Sequence, residues 1–123
     1  MELFYDKRIS VYNKGRKITV KAFTQIKKYL DRMDQNEYSE VVFVNISIGG
    51  GNGEYIVVFN NDSEYYNLIN KNCIKQTEEK KLVVGGQKGI FQKRQIVDYN
   101  MMIKACDYYY KNNSMDEELI WEK

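Results

Sequence analysis

The sequence predicts an α+β fold, a mainly antiparallel sheet of about five to six strands packed with two principal helices. Three observations carry this. Short β-prone runs recur along the chain, two longer segments have helical periodicity, and strands come in groups broken by single helices rather than alternating with them. At 123 residues with 43% hydrophobic and 29% charged side chains, the chain reads as a single domain, 1–123, able to hold a core without metal or disulfide staples.

The elements follow in order. Residues 2–5 and 9–12 are β-prone, and Asn13-Lys14-Gly15 offers a turn in which Gly15 can take a positive φ. Lys17 to Val20 reads either as the return strand of a hairpin or as the entry to a helix. Val20, Phe23, Ile26, Leu30 and Met33 recur at three- and four-residue steps and predict a helix over about 20–34, stopped by Asp34-Gln35-Asn36. Val42, Val44, Ile46 and Ile48 alternate with Phe43, Asn45 and Ser47, predicting one strand, and Tyr55 to Phe59 predicts the next. Between them, Gly49-Gly50-Gly51-Asn52-Gly53 reads as the loop of an antiparallel hairpin.

Asn60 to Ser63 marks another turn, and residues 65–69 are a strand or one helical turn. Residues 70–79 read as polar surface. Lys81 to Val84 is a strand ending at Gly85-Gly86-Gln87, Gly89 marks a second break, and 90–97 reads as extended. Asp98 can cap a second helix over about 99–113, with Met101, Ala105 and Tyr108 or Tyr109 on one buried face. Leu119, Ile120 and Trp121 form an apolar cluster that would tie the end of the chain to its body.

Composition narrows the function classes. The chain has no histidine, which removes the commonest general base and transition-metal ligand. No nucleophile–base set is recognisable, so no catalytic, cofactor or metal residues are expected. Cys73 and Cys106 lack metal or scaffold spacing and read as free thiols in a reducing cytoplasm. No apolar run suggests a leader or a membrane span. The net charge of +2 is too small to argue for nucleic acid or membrane by itself, although residues 1–35 are basic and 107–123 acidic. The glycines at 49–53 are not followed by the helix that a phosphate-binding loop needs, which weakens a nucleotide-using enzyme as a reading. Eleven tyrosines, among them Tyr65-Tyr66 and Tyr108-Tyr109-Tyr110, suit a protein interface, and at least one of the last three is expected to be exposed.

Several segments taken together resemble the first-numbered immunity protein family of bacterial polymorphic-toxin systems. They are a helix ending near Leu30 to Asp34, then Gly49-Gly50-Gly51-Asn52-Gly53-Glu54-Tyr55, then Val83-Val84-Gly85-Gly86-Gln87, then Ile96-Val97-Asp98 opening a helix with Ala105 and Tyr109, then Leu119-Ile120-Trp121-Glu122. The resemblance covers roughly residues 20–122. It implies a cytoplasmic antitoxin without enzymatic activity or cofactor. Such a protein forms a heterodimer with a toxin encoded by an adjacent gene, commonly a nucleic-acid deaminase or nuclease, and occludes its catalytic domain without contacting membrane or nucleic acid. The chain departs from the acidic charge of many immunity proteins. Gly49, Gly50, Gly51, Tyr55, Gly85, Gly86, Trp121 and Glu122 are expected to serve the fold, and Asn52, Glu54, Gln87, Phe91, Tyr65 and Tyr110 to contact the toxin. The alternative is a single-stranded nucleic-acid-binding module using tyrosine rings and the basic N-terminal third.

Overall fold

The computed structural model describes residues 1–9 and 12–123. The α+β expectation holds, with a larger sheet. Seven strands form one antiparallel sheet and two more form a separate hairpin. The strands are β1 (Glu2–Ile9), β2 (Tyr12–Thr19), β3 (Glu40–Phe43), β4 (Ile46–Gly51), β5 (Glu54–Asn61), β6 (Glu64–Ile69), β7 (Glu79–Val84), β8 (Gln87–Gln92) and β9 (Ile120–Glu122). The helices are α1 (Phe23–Arg32) and α2 (Tyr99–Asn112). The large sheet runs β2-β1-β3-β4-β5-β6-β9, and β7-β8 stands apart.

Both helices lie on one face of the sheet. Ile26 and Leu30 of α1 and Met101, Met102, Ala105 and Tyr109 of α2 are buried against Leu3, Phe43, Ile48, Val57 and Leu68. Asp98 caps α2 as expected, its Oδ1 accepting the Met101 N–H at 2.8 Å, and Asn113 ends it in the left-handed conformation. The first helix is shorter than its periodicity predicts. Val20 and Met33 are buried at its two ends but outside it.

The β7–β8 hairpin crosses the opposite, outer face. It is held by a small second core of Ile56, Leu82 and Ile96, flanked by Val58, Val84 and Phe91. The glycines of β4 let it approach. A Cβ on Gly49 would collide with the Val84 side chain. No helix among the described residues is long and apolar enough to cross a membrane.

Several local expectations need correction. The stretch 42–48 is two strands joined by a two-residue turn at Val44-Asn45, with Val44 at φ 52°. Gly49 to Gly51 belong to β4 rather than to a loop, and Asn52-Gly53, both at positive φ, form the turn. Gly15 pairs with Asp6 inside β2, beneath the Phe4 ring. Residues 10 and 11 lie outside the described residues. Residues 65–69 are strand. Gly89 sits within β8, covered by the Phe91 ring. The segment 90–97 is interrupted by a 3-10 turn, Lys93–Gln95, before Val97 bridges to Tyr55. Tyr109 is buried, and Tyr108 and Tyr110 are half-buried rather than exposed.

Candidate partner interface

Strand alternation sorts the sheet's side chains. Leu3, Val41, Phe43, Ile46, Ile48, Val57 and Phe59 point toward the helices and are buried. Their neighbours point outward. The register therefore strings one outward row across the sheet: Lys17, Phe4, Val42, Ser47, Val58, Asn67 and Glu122. The hairpin crosses the sheet above this row, over Gly49 and Ile56, and leaves the other half of the outer face open. A shallow depression of about 420 Å³ there is lined by Met1, Glu2, Phe4, Lys17, Val42 and Val44. Its floor is apolar and its margins carry Glu2 and Lys17, the arrangement of an interface centre with a polar rim.

Val44 is the unusual member of this surface. It is 54% exposed, yet its φ of 52° lies where a β-branched side chain is strained. The turn is tied down around it. The Asn45 N–H donates to the Tyr109 hydroxyl at 3.1 Å, and the Asn45 carbonyl accepts from the Asn60 N–H at 2.8 Å. Asn60 Oδ1, on the same outer face, is buried without a partner among the described residues. Glycine or asparagine would form this turn at lower cost.

The hairpin tip is fastened by a buried carboxylate. Asp6, 1% exposed, accepts from the Ser39 and Glu40 N–H groups at 2.7 and 2.8 Å through Oδ1, and from Arg8 Nε and the Ser39 hydroxyl, both at 2.7 Å, through Oδ2. Ser39 Oγ then accepts the Gly86 N–H at 2.8 Å. Glu40 sits beside this cluster. Burial and the Asp6 charge raise its carboxyl above the usual range, partly offset by Arg8.

The structure does not gather the six sequence-predicted contact residues into one site. Asn52 is exposed at the β4–β5 turn, and its side-chain amide donates to the Asp34 carbonyl. Glu54 pairs with Lys80, and Lys80 is the register partner of Phe91, so these positions adjoin. Phe91 is nevertheless half-buried in the second core. Gln87 is exposed at the opposite, tip end of the hairpin. Tyr110 packs beside Phe23 between the helices, its ring 6.0 Å away. Only Tyr65, 59% exposed, lies on the open outer face. Sequence reasoning missed Phe4, Val42, Val44 and Val58. For Val42 and Val44 the signal was apolar residues at both parities of the 41–48 segment, which a single two-period strand cannot explain; Phe4 and Val58, the latter partly covered by the hairpin core, gave none.

The residues expected to serve the fold are placed as follows. Gly49 and Gly50 lie under Val84 and Leu82, and Gly85 and Gly86 adopt positive φ at the hairpin tip. Tyr55 bridges to Val97, Trp121 Nε1 donates to the Asp116 carbonyl at 3.0 Å, and Glu122 takes a paired ion contact from Arg94 at 2.6 Å. Among the described residues no three His, Cys, Asp or Glu side chains group as a metal site requires. Burial raises the Cys106 thiol far above its ordinary range, whereas Cys73 is only partly covered. A thiol reagent should accordingly label Cys73 in the native protein and Cys106 only after unfolding. Equal rates under native conditions, read by mass spectrometry, would contradict the packing around α2.

No protein-family model matches the chain, and no curated protein matches it.

Proposed function

We propose that this chain is an immunity protein. It binds a cognate polymorphic toxin in the cytoplasm, a nucleic-acid deaminase or nuclease encoded beside it, and inhibits it by occluding the catalytic domain through the open outer face. The observation that carries the interface is Val44. A strained residue costs about 1–3 kcal/mol and persists only where something offsets it. Here the strained side chain is apolar, exposed and part of the lining of an uncovered, largely apolar depression. Contact with a partner supplies a reason to keep it.

The segments that resemble the immunity family support the same reading. Gly49 packs against Val84, Tyr55 bridges to Val97, and Glu122 pairs with Arg94, two residues before Ile96, so these segments brace one framework. A framework of this kind leaves the open face at liberty to vary with the toxin.

The test is co-expression with the toxin domain of the adjacent gene. A 1:1 complex with a nanomolar dissociation constant, on the order of −12 kcal/mol, and protection of the host cell are expected. Val44→Asp separates fold from contact, because aspartate tolerates the left-handed region. Its melting temperature should equal or exceed that of the parent, while toxin affinity falls about 100-fold, as for an interface hot spot. Failure of the parent protein to bind or protect would overturn the proposal.

A further inference from the structure

Away from the open face, the far end of α1 carries a second organised surface. The Arg32 guanidinium lies over two tyrosine rings, 5.0 Å from the centroid of Tyr29 and 5.8 Å from that of Tyr38. Tyr29 stacks in turn on Tyr5 at 4.6 Å. The four groups form a continuous ladder. Arg32 makes no ion pair among the described residues, and neither do Lys7, Arg16 or Lys28. These cations share the ladder's side of the molecule. Arg16 is the register partner of Tyr5, Lys7 follows Tyr5 by two residues on β1, and Lys28 precedes Arg32 by one helical turn.

The four cations outnumber the two carboxylates of the α1–β3 connection, Asp34 and Glu37. Asp31 is held by Lys27, and Asp34 accepts the Asn36 and Tyr38 N–H groups, which leaves Glu37 as the one acidic side chain of the α1–β3 connection without such a partner.

We infer that Arg32 is a preorganised anchor for a carboxylate on an acidic protein surface. Applied to the proposed function, and resting on that reading, the toxin presents acidic residues to α1. A guanidinium gripped between rings has lost much of its rotamer freedom before binding, so its planar fork of donors is ready for a bidentate carboxylate. Preorganisation of this kind is what makes arginine an interface hot spot. Single-stranded nucleic acid fits less well. Stacking of bases needs free ring faces, and the Tyr29 ring is already engaged by the tilted Tyr5 ring at 4.6 Å and by Arg32 at 5.0 Å.

Two measurements test this. In the first, the full chain is titrated with a ten-residue poly-glutamate peptide and, separately, with a ten-residue oligothymidylate, and the backbone amides of residues 32 and 38, present in every variant, are followed by NMR. The expected result is a saturable shift with the peptide that is lost in Arg32→Gln and not restored in Arg32→Lys. No shift with the peptide, or a larger one with the oligonucleotide, overturns the inference. In the second, inactivated toxin domain is titrated against the parent chain and Arg32→Gln. A loss of about 30-fold with a shallower salt dependence supports the inference, and equal affinity for the two overturns it. A parent chain that ignores the toxin but keeps the Arg32-dependent peptide shift defeats the immunity reading alone.

Discussion

Gly51→Val is expected to lose roughly 3–6 kcal/mol, much of the stability of a domain this size. Gly51 has φ +141°, and a Cβ there would fall on the backbone of Met33 and Asp34. The strand end and the helix end are bonded at that point. Gly51 bridges to Asp34, Asn52 N–H donates to the Met33 carbonyl at 3.1 Å, and Gln35 Nε2 donates to the Gly51 carbonyl at 2.9 Å. Backbone strain of about 1–3 kcal/mol adds to overpacking of similar size and to weakened hydrogen bonds of about 1 kcal/mol each. Gly53→Val is the control. It too has positive φ, +84°, but nothing lies within 4 Å of its Cβ, so only the strain remains. Urea denaturation of both variants checks this. Equal midpoints would mean that β4 withdraws freely from the end of α1.

Asp6→Ala is the second large effect, about 3–5 kcal/mol. The carboxylate satisfies two backbone amides, a hydroxyl and a guanidinium, all at 2.7–2.8 Å. Alanine leaves them without an acceptor in a site where water is excluded, and breaking a buried charged network from one side costs this much. Asp6→Asn should fall between the two, since it keeps one acceptor oxygen. The network also holds the hairpin tip through Ser39 Oγ. Thermal unfolding should therefore show a lower midpoint together with early loss of protection at the Gly86 amide. A midpoint unchanged within 1 °C would show that Arg8 and Ser39 find other partners.

What was legible in the sequence was whatever depended on local periodicity. Ile26 and Leu30 on α1, the Asp98 cap, the buried face of α2 and a strand reversal somewhere within residues 49–53 all follow from spacing and turn chemistry. What stayed hidden depended on partners distant in the chain. Val44-Asn45 lacks the glycine that signals a hairpin, so two strands read as one, and the parity of every side chain before the turn was inverted. That inversion moved Val42 from the expected core to the outer face. The glycines at 49–51 read as loop because the residues that need their bareness, Val84 and Asp34, come from other segments. Asp6 gave no signal, since its four donors come from residues 8, 39 and 40. The predicted contact residues scattered for the same reason. Loop tips are visible in a sequence, but which of them share a side of the molecule is decided by long-range pairing.

The β7–β8 hairpin shares no ladder with the seven-stranded sheet. Its attachment includes side-chain burial, the Lys80–Glu54 ion pair, Gln35 Oε1 accepting the Val83 N–H at 3.2 Å, and the tip contacts at Ser39. Such a unit can detach and return as one piece without unzipping a single pairing of the main sheet. Hydrogen exchange is accordingly expected to show the fourteen residues 79–92 opening from the glycine strand as one unit, ahead of the main sheet.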